Sequence, residues 1–283
     1  MKITRAVITA AAPDQRALPL QTLVDRDGRS KSALDIIIEE AAAAGIESIA
    51  VVVHPGDESI YRQGVGSAGD LLQFIPQGDP RGYGHALLSA REFVGDENFL
   101  HLVSDHLHVS NVSTRCAQQL VSVASTEACC VSAVQATRET CLNLYGTVGG
   151  RPVSGFPHLY EVESVREKPT PTQAEQSLIV PGLRSGHYLC FFGMHVLTPH
   201  VLSILEDQAG ALGAGENLQL SPALAQVAGH DRYLALEVSG LRYNIGVKYG
   251  LFLAQMALAL KGCDRERVLS QMLEMLATRE LER

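Results

Sequence analysis

The feature of this sequence that most constrains its fold is a regular alternation of apolar, strand-like runs with helical segments over the first 110 residues. The strand-like runs lie at residues 3–8, 46–57, 71–77 and 99–107, and the helical segments lie at 32–44, between the second and third runs up to Gly69, and at 84–94. Gly45 stands directly after the first helical segment, where helices commonly end. Because strands that alternate with helices form right-handed crossovers, this half predicts an α/β fold with a mostly parallel sheet.

The pattern changes after Asn111, where strand-like segments follow one another with short turns between them. These segments are ACCVSAVQAT, YGTVGG, LYEVESVREKP and HYLCFFGMHVL, and they predict mixed or antiparallel pairing. From Val247 onward, two helical segments are separated at Gly262. We expect one domain over residues 1–283, made of a first half at 1–110, a second half at 111–246 and C-terminal helices at 247–283. The C-terminal helices either pack against the domain or form a dimerisation face, so a homo-oligomer is an open alternative.

Composition and charge exclude several classes of partner. The chain has 283 residues, of which 46% are hydrophobic and 19% charged, which is enough apolar content for a substantial core. The formal net charge is −8 and the basic residues form no cluster, so a small molecule is favoured over a nucleic acid as partner. The longest apolar stretches fall far short of the roughly 20 residues that span a bilayer, so no membrane partner is expected. The six cysteines lack C-x-x-C spacing, which is typical of free thiols, and we expect a cytoplasmic location.

Three stretches of the chain are expected to meet at the carboxyl ends of the strands, where open parallel sheets bind ligands. They are residues 10–16, residues 76–86 and the segment around Asp105. Gly82 and Gly84 stand where a strand turns into a helix, so they either let bare backbone approach a base or a phosphate, or form a tight turn. Asp105 ends an apolar strand and either coordinates Mg²⁺ between phosphate oxygens or forms a turn or a helix cap. For both features the sequence leaves the two interpretations open.

Motifs spread along nearly the whole chain resemble those of a known enzyme family. The segment FIPQGDPRGYGHALLSAREFVGDENFLHLVSDHL resembles that family's R-Q-x-x-x-x-G-x-G-H-A segment, its following G-D-E and its metal-binding aspartate strand. YGTVGG at 145–150 resembles its Y-G-x-V, VREKPTP at 165–171 its V-x-E-K-P, GAGENLQLSPAL at 213–224 its G-x-x-E-x-Q-L-T-D-A, and YNIGVKYG at 243–250 its D-x-G-x-K-x-G. The family is the bacterial UTP–glucose-1-phosphate uridylyltransferases, within the sugar-1-phosphate nucleotidyltransferases, and the motifs occur in the family's order.

The resemblance implies a fold, a reaction and a set of site residues. The fold is a Rossmann-like, glycosyltransferase-A-like nucleotidyltransferase fold, with a nucleotide-binding half at 1–110 and a sugar-binding half at 111–246. The reaction takes UTP or another nucleoside triphosphate and glucose 1-phosphate or a related sugar phosphate, and it yields an NDP-sugar, expected to be UDP-glucose, and pyrophosphate, with Mg²⁺ as cofactor. By position, the catalytic residues are Arg16, Asp105 and Lys168, the nucleotide-binding residues Ala11, Ala12, Gln77, Gly82, Gly84 and His85, the sugar-binding residues Gly146, Glu167, Lys168, Gly193 and Lys248, and the metal ligands Asp105 and Asn244.

Two groups of residues also have plainer structural explanations. The charged pair in VREKPTP stands ahead of a proline, a pattern that is also typical of a solvated strand end. His101, His106 and His108 lie near Asp105 and suggest a zinc site. Their alternation along a strand puts His106 and His108 on the face opposite Asp105, which favours exposed strand-end histidines instead.

The first loop departs from the family's pattern. The family has approximately G-x-G-T-R-x-x-P followed by P-K-E-x-L-P-L-V-D, whereas this chain has APDQRALPLQTLVDRDG, which keeps Arg16 but lacks both glycines and the lysine. Pro13 removes a backbone N–H donor and Asp14 adds negative charge, so we expect weaker triphosphate binding. Lys31 either replaces the missing cation or lies on the surface before the helix. Asn244 stands where the family has its second metal-binding aspartate, so we expect the ion to be held less tightly.

Two functions of different class follow from these features. The leading hypothesis is a nucleotidyltransferase that forms an NDP-sugar, slowly or with an altered nucleotide. The alternative is a catalytically silent relative that binds a nucleotide sugar and serves as a sensor or a regulatory subunit. A dinucleotide-dependent oxidoreductase is disfavoured, because no G-x-G-x-x-G follows the first strand.

Overall fold

The computed structural model describes residues 1–66, 71–213 and 215–281. Its strands, in chain order, are β1 (Arg5–Ala10), β2 (Thr22–Val24), β3 (Ser30–Ser32), β4 (Ser48–Val53), β5 (Leu72–Pro76), β6 (Phe99–Val103), β7 (His106–Ser110), β8 (Cys130–Arg138), β9 (Thr147–Pro152), β10 (Leu159–Arg166), β11 (His187–Leu197), β12 (Tyr233–Glu237) and β13 (Gly240–Asn244). Each strand-like segment predicted from the sequence overlaps at least one of these strands, although β1, β8 and β9 extend beyond the predicted ends. Gly69, where a predicted helical region ends, and Ala214, which lies inside one predicted motif, are outside the described residues.

The helices lie between these strands along the chain and after the last of them. In chain order they are α1 (Ala33–Ala43), α2 (Glu58–Gly64), α3 (Tyr83–Ser89), α4 (Arg91–Val94), α5 (Cys116–Glu127), α6 (Pro171–Ser177), α7 (Pro199–Ala211), α8 (Leu220–His230), α9 (Gly250–Leu260) and α10 (Arg265–Leu281). The helix predicted at 84–94 is divided into α3 and α4, because the backbone at Ala90 (φ −94°, ψ 7°) departs from helical geometry. Among the described residues, no helix combines the length and the apolar character needed to cross a lipid bilayer.

The first helix begins and ends where local sequence signals place its boundaries. The Ser32 side chain accepts a hydrogen bond from the Asp35 backbone N–H at 3.0 Å, and the Asp35 carboxylate accepts one from the Ser32 backbone N–H at 3.3 Å. This reciprocal pair is a capping box, which satisfies two N–H groups that the helix itself cannot bond. At the other end Gly45 has a φ of +85°, the left-handed conformation that terminates many helices. The predicted helix at 32–44 and its glycine stop are confirmed.

The main sheet is mixed, and its strands are ordered β5-β4-β1-β6-β11-β8-β12-β10-β9. β5, β4, β1 and β6 are parallel, as the alternation in the first 110 residues predicts, and β8 pairs parallel with β12. The other neighbours are antiparallel, and β11 also pairs with β9. Parallel pairing therefore belongs chiefly to the first half of the chain. The division into parts at 1–110, 111–246 and 247–283 stays a prediction.

The strand predicted at 99–107 is interrupted before its end. β6 stops, the chain turns at Ser104 and Asp105, and β7 leaves the main sheet to form an antiparallel ribbon with β13. Backbone hydrogen bonds hold this turn, from the Ser104 N–H to the Thr9 carbonyl at 3.2 Å and from the Ile245 N–H to the Asp105 carbonyl at 2.8 Å. The break puts Asp105 in a turn at the carboxyl end of the parallel strands.

Helices cover both faces of the main sheet, and β1 shows why consecutive residues of a strand in this sheet are apolar. Ala6, Ile8 and Ala10 belong to the core on the side of α1, α5 and α9, whereas Val7 belongs to the core on the side of α3, α7 and α8. All four side chains are buried. A strand covered on both faces favours apolar residues on both of them rather than an alternation of apolar and polar residues. The polar exception among the buried residues of β1 is Thr9, which lines the cavity described below.

Candidate active site

A cavity of about 510 Å³ opens at the carboxyl ends of β1, β5 and β6. The three stretches expected to converge, residues 10–16, residues 76–86 and the segment around Asp105, all contribute to its walls. The predicted site residues that line it are Ala11, Ala12, Gln77, Gly82, Asp105, Gly146, Glu167, Lys168 and Gly193. The predicted site residues that do not line it are Arg16, Gly84, His85, Asn244 and Lys248. We call this cavity the cleft.

Gln77 is a buried polar residue on the wall that the sequence assigns to the nucleotide. Its Nε2 group donates hydrogen bonds to the Gly82 carbonyl at 3.2 Å and to His85 Nδ1 at 3.0 Å. Burial, assisted by the nearby Arg81, lowers the pKa of His85, so the ring is neutral and Nδ1 can accept. Both amide protons of Gln77 are thus used within the protein. Its Oε1 is left as a hydrogen-bond acceptor on a residue that lines the cleft.

Gly82 and Gly84 are required by the close approach of another chain segment. Gly82 has a φ of +96°, and a Cβ atom built on it would lie 2.7 Å from the Leu218 carbonyl oxygen. The Gly84 N–H donates to that same oxygen at 2.9 Å, and a Cβ on Gly84 would lie 2.9 Å from the Leu218 side chain. The tight-turn interpretation therefore accounts for both glycines. Gly82 in addition lines the cleft, and a direct contact of Gly84 with a base stays a prediction.

Asp105 is a partly buried carboxylate that lines the cleft. Its Oδ1 accepts a hydrogen bond from His106 Nδ1 at 2.7 Å. Burial disfavours the charged form, but the His106 ring and the other hydrogen bonds outweigh burial and hold the pKa of Asp105 below its ordinary value. The residue is therefore a carboxylate at neutral pH. Its Oδ2 makes no hydrogen bond within the part of the chain that the structure describes.

The residues around Asp105 fit a cation shared with a substrate better than one caged by the protein. Across the described residues, no group of three or more histidine, cysteine or acidic side chains is arranged to hold a metal ion. Mg²⁺ is commonly held by one or two carboxylates together with phosphate oxygens and water, which a single free carboxylate oxygen at Asp105 suits. Asn244 is the neighbour of His106 in the β7–β13 ribbon, but its Oδ1 accepts the Gly246 N–H at 2.8 Å.

Glu167 and Gly146 line the cleft, and the family resemblance assigns them to the sugar. Glu167 Oε2 accepts a hydrogen bond from the Ser221 hydroxyl at 2.5 Å. A Cβ on Gly146 would lie 2.6 Å from the Phe191 ring and 3.0 Å from Glu167 Oε2, so only glycine lets these two side chains meet here. Lys168 follows with a φ of +43°, an uncommon conformation for a residue with a side chain. Both charged residues are exposed, and both line the cleft.

Arg16 is held away from the cleft by an ion pair. Its guanidinium donates to both carboxylate oxygens of Asp57, with Nε 2.6 Å from Oδ2. This bonding lowers the pKa of Asp57 in spite of burial. The Tyr61 hydroxyl is shared between the Arg16 carbonyl at 2.9 Å and the Ala10 carbonyl at 3.3 Å, which fixes both ends of the first loop. A catalytic role for Arg16 stays a prediction.

Two further basic residues that the sequence singles out, Lys31 and Lys248, also lie outside the cleft lining. The Lys31 ammonium lies 2.6 Å from Asp25 and 2.6 Å from Glu39, and its side chain is only 17% exposed. Lys31 is therefore neither a replacement cation in the cleft nor a freely solvated surface residue. Lys248 lies over the Tyr249 ring at 5.2 Å. Pro13 lines the cleft, whereas the exposed Asp14 does not.

The prediction that the histidines near Asp105 are exposed is wrong. His101 is 0% exposed, and His106 and His108 are each 7% exposed. His101 Nδ1 bonds the Val7 carbonyl at 3.0 Å inside the sheet, and His108 Nε2 bonds the Phe192 carbonyl at 3.0 Å. Burial lowers the pKa of His101 to about 4 and that of His108 to about 3. The alternation along one continuous strand misled the prediction, because β7 leaves the sheet and packs inside the fold.

Some residues of the cleft were not found by sequence reasoning. Tyr83, Tyr145, Phe191 and His195 all line the cavity. The only available signal at His195 was a polar residue within the apolar run HYLCFFGMHVL, which reads as a core strand. Tyr83 lies between Gly82 and Gly84, and the prediction for this segment concerned only the two glycines.

Comparison with known proteins bears on the family and the fold. The model of the Nucleotidyl transferase family matches residues 23–235. A protein of Bacillus subtilis (strain 168) named UTP–glucose-1-phosphate uridylyltransferase YngB is 30% identical over 305 aligned residues, which cover 99% of this chain and 97% of that protein. A protein of Streptococcus pyogenes serotype M3 named UTP–glucose-1-phosphate uridylyltransferase 2 is 30% identical over 290 residues, covering 92% and 91% of the two chains.

A solved structure supports the same fold. The crystal structure of a UDP-glucose pyrophosphorylase complexed with UDP-glucose superposes with a TM-score of 0.74 and 24% identity, over 90% of this chain and 98% of that one. The predicted nucleotidyltransferase fold is confirmed. Because the family model covers most of the sequence and relatives of similar length share 30% of its residues, the chain belongs to the nucleotidyl transferase family.

Proposed function

We propose that this protein is a UTP–glucose-1-phosphate uridylyltransferase, which forms UDP-glucose and pyrophosphate from UTP and glucose 1-phosphate. The observation that carries the proposal is the single cleft lined by Gln77, Asp105 and Lys168, which come from three distant parts of the chain. The names of the Bacillus and Streptococcus relatives support the choice of nucleotide and sugar.

Each wall of the cleft suits one part of the product. Gln77 Oε1 is an acceptor that matches the imide N–H of uracil, and Gly82 leaves room beside it for a flat base. Glu167 can accept hydrogen bonds from sugar hydroxyls, and Gly146 and Gly193 keep side chains out of that space. Ala11 and Ala12 would provide backbone contacts to the nucleotide.

The reaction needs positioning and charge neutralisation and no covalent intermediate. An oxygen of the sugar phosphate attacks the α-phosphorus of UTP in line, the bond to the bridging oxygen breaks, and pyrophosphate leaves with that electron pair. Lys168 is the one lysine or arginine among the described residues that line the cleft, so it would neutralise charge on the phosphates. Lys248 would reach the sugar phosphate only after leaving the Tyr249 ring.

A divalent cation, which we propose to be Mg²⁺, would supply further neutralisation of the phosphate oxygens. Asp105 would hold it through the free Oδ2, together with phosphate oxygens of the substrate. Asn244 is the proposed second ligand, although its amide oxygen bonds the Gly246 N–H and would add no negative charge.

One observation favours the alternative of a silent nucleotide-sugar-binding protein. Arg16 and Lys31, the two basic residues that the sequence offers to the triphosphate at the first loop, are both bound to carboxylates of the protein. A triphosphate would therefore meet little positive charge at that end of the cleft. We expect turnover to be slow for this reason, and binding of the nucleotide sugar to be stronger than binding of UTP.

Pyrophosphate release separates the two functions. Protein supplied with UTP, glucose 1-phosphate and Mg²⁺ is expected to release pyrophosphate, and UDP-glucose is expected to raise its melting temperature. Stabilisation by UDP-glucose with no pyrophosphate from any nucleotide and sugar pair would establish the silent function. If UDP-glucose does not stabilise the protein and no pyrophosphate is released, both functions are wrong.

The cellular setting follows from the proposed activity. A small-molecule enzyme without membrane contact fits a cytoplasmic location, which fractionation would test. A homo-oligomer also stays a prediction, and the place to test it is the exposed apolar surface of the C-terminal helices, which includes Phe252, Leu253, Leu273 and Leu276. Light scattering of the purified protein measures its molar mass and therefore its oligomeric state.

A further inference from the structure

A chain of buried polar side chains runs through the sheet beneath the cleft. Tyr233 on β12, Ser132 on β8 and His195 on β11 are neighbours across the sheet, and each is at most 2% exposed. The Ser132 hydroxyl is hydrogen bonded both to the Tyr233 hydroxyl and to His195 Nδ1, the latter at 2.6 Å. We call these residues the Tyr–Ser–His relay. Only His195 lines the cleft.

Counting protons fixes the direction of the hydrogen bonds in this relay. The Tyr233 hydroxyl has no other hydrogen-bond partner among the described residues, so its proton must go to Ser132 or remain unbonded. If Tyr233 donates to Ser132, then Ser132 donates to His195 Nδ1, and every proton of the two hydroxyls is satisfied. If instead His195 Nδ1 carried the proton, it would donate to Ser132, and the two hydroxyl protons would compete for the one hydrogen bond between Ser132 and Tyr233. One of them would then be buried without an acceptor among the described residues, which is unfavourable. The relay therefore selects the tautomer of His195 with its proton on Nε2.

The surroundings of His195 keep its ring neutral. Burial, together with the neighbouring His101, lowers the pKa of His195 well below its ordinary value. The two rings are stacked with centroids 5.9 Å apart. His101 bonds the Val7 carbonyl through Nδ1 and the Tyr83 hydroxyl through Nε2, so a neutral His101 donates to Val7 and accepts from Tyr83. No carboxylate bonds either ring in the described part of the chain.

His195 lies towards the sugar wall of the cleft. Its ring meets the edge of Phe191 at 4.8 Å between centroids, and Phe191 is the ring that a side chain on Gly146 would strike. Gly193, two residues before His195 on the same strand, also lines the cleft. His195 Nε2 makes no hydrogen bond within the described residues, so its N–H is available to a ligand.

We propose that His195 is a specificity-determining residue whose Nε2–H donates a hydrogen bond to a hydroxyl oxygen of the bound sugar. Ser132 and Tyr233 are positioning residues that hold the proton on Nε2. This inference rests on the proposed function for the identity of the ligand, but the tautomer itself does not depend on it.

The tautomer can be measured without any ligand. In long-range ¹H–¹⁵N correlation spectra of protein labelled with ¹⁵N-histidine, the protonated and unprotonated ring nitrogens have well-separated shifts. The His195 signal, assigned by its loss in His195→Gln, is expected to show the proton on Nε2 at neutral pH. Tyr233→Phe removes the constraint and is expected to add the second tautomer. A wild-type spectrum with the proton on Nδ1 would overturn the proposal.

The sugar contact is tested by comparing two ligands in titration calorimetry. His195→Phe keeps an aromatic ring but removes the donor, so UDP-glucose is expected to bind at least about fivefold more weakly while UTP binds unchanged. His195→Gln, whose amide can replace the Nε2 donor, is expected to recover most of the loss. His200→Asn, at an exposed histidine that pairs with Asp231 outside the cleft, is the matched control.

A set of deoxyglucose analogues of UDP-glucose identifies the acceptor. One analogue is expected to bind the wild type more weakly than UDP-glucose does. The same analogue is expected to bind His195→Phe with the same affinity as UDP-glucose does. If every analogue loses the same affinity in both proteins, or if His195→Phe weakens UTP as much as UDP-glucose, the sugar contact is wrong. If the wild type binds neither UTP nor UDP-glucose, the proposed function fails and the sugar contact fails with it, whereas the tautomer spectrum still reports on the relay.

Discussion

The first-loop end of the cleft and its sugar end use their charged side chains in different ways. Near the first loop, Arg16 and Lys31 are bound to carboxylates of the protein itself. At the sugar end, Glu167 and Lys168 line the cavity, and a glycine at 146 makes room for Glu167 and the Phe191 ring. The positive charges of Arg16 and Lys31 are neutralised by carboxylates of the protein and are not available to a triphosphate. The charged groups of Glu167 and Lys168 face the cavity and are available to a ligand. This difference supports the proposal that the chain holds a nucleotide sugar better than it activates a triphosphate.

The largest effect on activity is expected at Asp105, because both ends of the cleft depend on this residue. Asp105→Ala removes a carboxylate that lines the cleft, so metal-dependent pyrophosphate release should fall by roughly a hundredfold or more. Asp207→Ala, at an exposed carboxylate on α7, is the control that should leave the rate unchanged. If Asp105→Ala released pyrophosphate at an unchanged rate, Asp105 would have no part in the reaction. The comparison of the two ends of the cleft would then lose its basis.

A methyl group at Gly146 tests the sugar end by itself. The added Cβ would lie 2.6 Å from the Phe191 ring. Overpacking of this kind costs about 1–3 kcal/mol of folding free energy, and the displaced ring should raise KM for glucose 1-phosphate by about tenfold. The KM for UTP should stay the same. Gly229→Ala, in a helix and with open space around it, is the control; equal changes in both KM values would show that the two ends are not separate.

Releasing Arg16 tests the first-loop end. Asp57→Asn removes the carboxylate that binds the guanidinium, so the melting temperature should fall and UTP affinity should rise. The gain in UTP affinity should vanish in the double variant Arg16→Ala/Asp57→Asn, as calorimetry would measure. A gain that survives without Arg16 would mean that the ion pair does not withhold charge from the triphosphate.

The residues of the two ends of the cleft differ in how far they could be predicted from the sequence. Gln77, Asp105 and Glu167 were predicted because each stands in a motif whose neighbours are close in sequence. The ion pair of Arg16 with Asp57 was not predicted, because three strands and a helix separate the two residues and no local pattern links them. His195 was missed because a polar residue in an apolar strand gives no sign of whether it faces the core or a cavity. The parallel pairing of the first strands followed from the alternation of strand-like and helical segments, and the end of the first helix followed from Gly45.

The buried histidines beneath the cleft predict a dependence of stability on pH. Unfolded histidine takes up a proton near pH 6.5, but His101 in the folded chain does so only near a pKa of about 4. Between these values the unfolded state binds more protons, so the free energy of unfolding should decrease as pH falls from 6.5 to about 4. His101→Asn, which keeps a donor for the Val7 carbonyl, should flatten this slope in urea titrations, whereas His200→Asn should not. A wild-type stability that is constant over this range would contradict the burial of a neutral His101.

The smallest effect is expected at Asn244. Asn244→Asp adds a negative charge beside the Asp105 turn, so metal affinity should rise modestly, by about threefold to tenfold. Calorimetric titration of Mg²⁺ in the presence of UDP-glucose measures it. Because the Asn244 amide oxygen bonds the Gly246 N–H, Asn244→Ala is the companion variant that separates loss of this bond from gain of charge. An unchanged affinity in Asn244→Asp would place the residue outside the metal's reach.

The central claim is that one cleft holds a nucleotide sugar with its base at Gln77 and its sugar at Glu167. A crystal structure of the protein with UDP-glucose tests it most directly. We expect the uracil against Gln77 Oε1, the diphosphate between Asp105 and Lys168, and the glucose against Glu167 and His195. Nucleotide sugar bound elsewhere on the protein, or an empty cleft at saturating UDP-glucose, would contradict the account.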